Sequence, residues 1–155
     1  SSALSIPASK PLLESTFDDI DGLIRTNVTG PLQLTQLVAP MMVERGRGMI
    51  INMSSLAGYR PNPIQTVYSV SKRAVNGISD ALRAELAPKG IVVMNVAVPS
   101  VWSEKQRHPG QIPIAQFAKT LEAAIVREET ELYLSPVTKW LMRLYAFYPP
   151  LGRLR

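Results

Sequence analysis

Two short runs limit what this chain can fold into. "GMIINMSS" (48–55) and "IVVMNVAVP" (91–99) are almost unbroken stretches of large apolar residues, with Asn95 the one polar residue in the second. A strand that faces water on one side alternates apolar with polar; one buried on both sides does not. Between the two runs lies a segment, 66–87, of helical length, ended by "APKG" at Ala87 to Gly90. Buried strands joined by a helix run parallel and need helices on both faces.

The rest of the chain fits that plan. "STFDDIDGLIRTNVTG" opens a helix, with Ser15 or Thr16 as cap and Asp18, Asp19 and Asp21 favouring its N-terminal dipole. The periodicity resumes after Gly30-Pro31 through Leu34, Leu37, Val38 and Met41, and stops at Gly46 or Gly48. Residues 1–13 and 100–112 read as loops, 113–128 as a helix, "TELYLSP" as a third, shorter strand, and 137–148 as a last helix. The expected class is α/β, three parallel strands flanked by helices in a three-layer, Rossmann-like sandwich. The 155 residues suit a single domain, a core over 1–135 with a tail over 136–155. The opening "SSALSIPASK" reads as a cut or processed end.

Composition removes several classes of function. There is no cysteine and only one histidine, His108, so thiolate and multi-histidine metal centres are excluded and no metal site is expected. The net charge is +5, but residues 136–155 hold Lys139, Arg143, Arg153 and Arg155 and no acid, leaving 13 basic against 12 acidic residues elsewhere. That is not the basic stripe of a nucleic-acid binder. No signal peptide and no run of roughly 20 apolar residues is visible, so a cytoplasmic location is expected. The tail carries Val137, Trp140, Leu141 and Leu144 on one helical face and Lys139 and Arg143 on another. It reads as a helix docked on its own domain, with weak peripheral membrane contact as the alternative. His108 reads as a solvent-exposed loop residue, Met41 and Met42 as core or interface, and Trp102 as either packing or pocket wall.

Ligands of open parallel sheets bind beyond the carboxyl ends of the strands. That rule picks out Ser54-Ser55, the loop after Val98 and the start of the helix carrying "YSVSK". Tyr68 and Lys72 are four apart, so in a helix they share a face one turn apart. An ammonium beside a phenol favours the phenolate. A hydroxyl added to this pair suits reversible carbonyl reduction: Ser55 holds the substrate oxygen and Tyr68 passes it a proton.

"NMSSLAGYRPNPIQTVYSVSK" resembles the active-site stretch of the short-chain dehydrogenases/reductases. That family places a serine thirteen residues before the tyrosine of a Tyr-x-x-x-Lys motif, the spacing of Ser55 and Tyr68, and Lys72 completes the motif. "DIDGLIRTNVTG" resembles the family segment whose asparagine supports a proton relay, which gives Asn27 that role. Pro31 has no N–H, so the Asn27 carbonyl loses its helical partner and is free to accept from water. "VVMNVAVPS" resembles the strand whose Pro-Gly end meets the nicotinamide; Pro99-Ser100 stands there, and the threonine that often follows is replaced by Ser103 and Glu104.

The resemblance implies catalytic residues Asn27, Ser55, Tyr68 and Lys72, and cofactor contacts from Tyr68, Lys72, Pro99 and Ser100. It implies NAD or NADP, with a slight preference for NADP, and a small carbonyl or alcohol substrate. It also implies a homodimer or homotetramer formed through the two long helices, here about 16–45 and 66–87. It covers only the C-terminal part of the family domain. No glycine-rich dinucleotide turn occurs in the sequence, so the N-terminal Gly-rich βαβ half is absent and little independent activity is expected. The competing expectation is a non-catalytic truncated relative that uses the same helices for association.

Overall fold

The structure is a computed structural model and describes residues 10–102, 112–133 and 135–147. The expected features at His108, Ser103 and Glu104, and the tail beyond 147, lie outside these residues. Among them are helices α1 (Phe17–Ile24), α2 (Gly30–Glu44), α3 (Thr66–Leu86), α4 (Ile114–Val126) and α5 (Pro136–Phe147). The strands are β1 (Gly48–Ser55), β2 (Ile91–Val98), β3 (Val101–Trp102), β4 (Ile112–Pro113) and β5 (Glu131–Leu132). β1, β2 and β5 form one parallel sheet in that order. β3 and β4 pair separately in parallel, within a region expected to be loop.

Both apolar runs are strands, paired in register from Gly48 opposite Ile91 to Ser55 opposite Val98. β2 is the central strand, and its side chains alternate between two cores. Ile91 and Val93 pack with Ala39 of α2, Ile50 and Leu86 of α3. Met94 and Val96 pack on the other face with Phe117 and Ala124 of α4 and with Leu132. A third cluster joins Ala97 to Tyr59 and to Met142 of α5. Helices therefore cover both faces, as buried parallel strands require.

The first helical stretch is not the single bent helix expected over 16–45. Thr16 caps α1 in a reciprocal box with Asp19. The chain then passes through a π-helical turn, Arg25–Thr29, before α2 begins at Gly30. The Gly30 N–H donates to the Arg25 carbonyl, five residues back. Such a wide turn fits one extra residue into the helix and occurs frequently at functional sites. Pro31, lacking an N–H, follows at once, so its missing donor falls where the helical ladder is already re-phased.

α3 is fixed to the sheet by polar groups as well as by packing. Asn52 and Asn95 are cross-strand partners, both buried. Asn52 Nδ2 donates to Ser79 Oγ at 3.0 Å, and Asn95 Nδ2 to Asn76 Oδ1 at 3.0 Å. Ser54 Oγ lies 2.5 Å from Asn76 Oδ1 and 3.1 Å from the Lys72 carbonyl. Buried polar groups are costly unless paired, so these contacts admit only one register of α3 on β1 and β2. Asn95 Oδ1 is the one buried side-chain polar atom without a partner among the described residues.

Candidate active site

The carboxyl end of β1, the turn that follows it and the first two turns of α3 carry the candidate residues. Ser55 is the last residue of β1, and its Oγ accepts from the Ala57 N–H at 3.2 Å, capping the 3-10 turn Leu56–Gly58. Tyr68 and Lys72 lie in the opening turns of α3, both half-buried. The Lys72 ammonium sits 5.7 Å from the centre of the Tyr68 ring, so the expected shared face is present. No direct hydrogen bond joins the Ser55 hydroxyl to the Tyr68 phenol.

Lys72 Nζ donates to the Met53 carbonyl at 2.8 Å. Among the described residues β1 pairs only with β2, so its other edge carries unpaired backbone groups, and a lysine over such an edge gives a carbonyl a partner. Burial pushes the Lys72 ammonium below the usual lysine range.

Asn27 falls inside the π turn and reaches α3 from there. Its Nδ2 donates to Ser71 Oγ at 3.0 Å, and Ser71 in turn donates to the Tyr68 carbonyl at 2.8 Å. The side chain of Asn27 is thus tied to the residue next to Lys72. Asn27 and Lys72 also line one groove of about 600 Å³ along the open edge of β1, with Pro31, Thr35, Ile51 and Met53. Neither Ser55 nor Tyr68 lines it. Pro99 is buried just past the end of β2, Ser100 is exposed, and the Ser100 carbonyl accepts from the Ile112 N–H at 3.2 Å.

Three further residues support the site, and only Ser71 had no mark in the sequence. Ser71, fully buried, anchors Asn27. Ser54 holds the turn of α3 that carries Lys72. Gly58 lets the post-β1 turn pack directly on the backbone of α3, because a Cβ there would stand 2.8 Å from the Lys72 carbonyl carbon and oxygen. Ser54 was marked as a strand-end position, and Gly58 as the glycine three residues after Ser55.

The profile of the short chain dehydrogenase family matches residues 4–109. The chain belongs to the short-chain dehydrogenase family. A very-long-chain 3-oxoacyl-CoA reductase from Eremothecium gossypii is 33% identical over 154 residues, covering 92% of this chain and 43% of the reductase. The chain thus spans less than half the length of that relative. Among solved structures, a bulky-bulky ketone specific alcohol dehydrogenase from Comamonas testosteroni superposes with a TM-score of 0.78 at 26% identity, over 95% of this chain and 59% of that one. A short-chain dehydrogenase from Sphingobium yanoikuyae in complex with NADPH gives 0.77 at 26% identity, over 95% and 61%. The three-stranded parallel sheet with helices on both faces is the corresponding part of that Rossmann-like fold.

Proposed function

We propose that the chain is the catalytic and substrate-binding portion of an NAD(P)-dependent reductase that interconverts a carbonyl and an alcohol. The observation that carries this is the Tyr68–Lys72 pair on one face of α3, beside the end of β1 that presents Ser55. When bound, the nicotinamide supplies the hydride. Ser55 Oγ donates a hydrogen bond to the substrate oxygen and orients it. Tyr68 gives its phenolic proton to that oxygen as the carbonyl carbon is reduced. Lys72 stabilises the phenolate left behind, and the Asn27 carbonyl stands at the start of the path by which a proton returns.

The residues present fit one end of such a cofactor. Lys72 is a half-buried ammonium whose three protons exceed its one carbonyl partner, so it has donors left for ribose hydroxyls. Tyr68, Pro99 and Ser100 complete the nicotinamide contacts. The sequence holds no glycine-rich turn for a pyrophosphate, so these residues alone have little or no turnover. NADPH is the first cofactor to try, because a matched relative binds it. A 3-oxoacyl-CoA is the first substrate, from the name of the reductase matched over nearly the whole chain.

The test is a chimera in which this chain replaces the matching segment of that reductase, whose remaining part supplies the dinucleotide site. The expected result is NADPH-dependent reduction of a 3-oxoacyl-CoA. A folded chimera that binds NADPH and reduces no carbonyl contradicts the reading.

Association through the long helices belongs to the same proposal. Leu34, Leu37 and Met41 share one face of α2 and are all more than half exposed. We assign this apolar surface to a second copy. Light scattering is expected to give a dimer or tetramer that Leu37→Glu converts to monomer. A monomeric parent chain contradicts the assignment.

A further inference from the structure

The last helix has two apolar faces, and the fold uses only one. Met142, 8% exposed, plugs into the cluster with Tyr59 and Ala97, and Tyr145 packs beside it under Arg60. Lys139 and Arg143 reach back to Glu131 at 3.3 and 2.8 Å. The opposite face carries Val137, Trp140, Leu141 and Leu144, 68%, 70%, 47% and 49% exposed. Their spacing of three, one and three residues makes one continuous stripe pointing away from the domain.

We propose that this outer face of α5 binds the surface of a membrane containing anionic lipid. Two observations select a lipid surface over a second copy of the chain. The first is area. Twelve residues of helix are about 18 Å long and about 10 Å wide, a footprint of roughly 200 Å², far below the ~800 Å² per partner of a stable protein interface. Lipid binding has no such threshold, since it grows with buried apolar area and with charge attraction together. The second is charge. Residues 136–155 carry four basic residues and no acid, on a chain of net charge +5; Lys139 and Arg143 share the single carboxylate of Glu131, so that group keeps a net positive charge. Trp140 stands mid-stripe, and indole is the side chain favoured at the headgroup level. None of the described helices is long and apolar enough to cross a membrane, so the contact lies flat on the surface. It also lies near the candidate site, because the cluster that seats Met142 includes Leu56 and Tyr59, one and four residues past Ser55. An apolar substrate dissolved in the membrane would reach the site from that side.

Flotation of the full chain with vesicles tests this, because aggregates sink and bound protein rises. With one-third phosphatidylserine in phosphatidylcholine, most of the protein floats at low salt and several-fold less at 0.5 M NaCl, where the Debye length is only a few ångströms. With phosphatidylcholine alone little floats. Trp140→Glu and Leu144→Glu each cut flotation at least tenfold, while Val126→Glu, on the equally exposed end of α4, leaves it unchanged. In a Trp102→Phe background, the emission of Trp140 shifts to the blue on adding the anionic vesicles. Absence of flotation with either vesicle overturns the proposal, as does flotation indifferent to Trp140→Glu. So does an α5-dependent dimer that ignores lipid, which would assign the face to a second copy.

Discussion

Tyr68→Phe in the active chimera lowers kcat for carbonyl reduction by about a thousandfold and leaves KM within a few-fold. The substitution removes one oxygen and keeps the ring that sits 5.7 Å from the Lys72 ammonium, so packing at the start of α3 is undisturbed. What is lost is the proton donor. General acid catalysis typically contributes 10²–10⁴, and an interaction made only in the transition state shows in kcat rather than in KM. Steady-state rates with NADPH saturating measure this. A variant that keeps more than a tenth of the parent rate would show that another group supplies the proton. Far-UV circular dichroism and thermal midpoint, both unchanged, separate this result from misfolding.

Gly58→Ala is the second large effect, and it acts through the backbone. The added methyl meets the carbonyl group of Lys72 at 2.8 Å and the Arg73 nitrogen at 3.1 Å. Main-chain atoms cannot rotate aside, so the turn after Ser55 and the turn of α3 that carries Lys72 must move apart. Overpacking of this kind costs about 1–3 kcal/mol, which for a chain of this size lowers the thermal midpoint on the order of 5 °C. The same displacement separates Ser55 from Tyr68 and Lys72, and a misplacement of ~1 Å can cost about a hundredfold in rate. Gly77→Ala is the matched control. It lies in α3, against which Gly58 packs, with nothing within 4 Å of its Cβ, and replacing a helical glycine by alanine stabilises by about 0.5–1 kcal/mol. If Gly58→Ala melts no lower than the parent, the close approach of the two backbones is not what the glycine serves.

The two residues were not equally visible in the sequence. Tyr68 and Lys72 announce themselves, because a four-residue spacing is a statement about one helix and needs no knowledge of the rest of the fold. The two long strands were legible for the same reason, since a run that is mostly apolar with no alternation can be buried on both faces and little else. Features that depend on what meets what were harder. Ser71 is an ordinary small helical residue until Asn27 arrives from 44 positions away. Ser54 and Asn76 matter because α3 crosses β1 where it does. Asn95 stood out in its apolar run, but its partners, Tyr59 and Asn76, come from two other elements. The π turn was hidden because its helical residues look like any others. Only Pro31 hinted at a break, and it lies two residues beyond the turn. The last strand is two residues long where seven were expected, since only Glu131 and Leu132 pair with β2.

Ser55, Tyr68 and Lys72 are held to work as one unit, and a double-mutant cycle in the chimera tests that most directly. Ser55→Ala, Tyr68→Phe and the pair together are compared by kcat/KM. Groups that act in one step are strongly non-additive, so the double variant is expected to lose no more than a few-fold beyond Tyr68→Phe alone. A double variant whose loss is the full product of the two single losses would show that the serine and the tyrosine act independently.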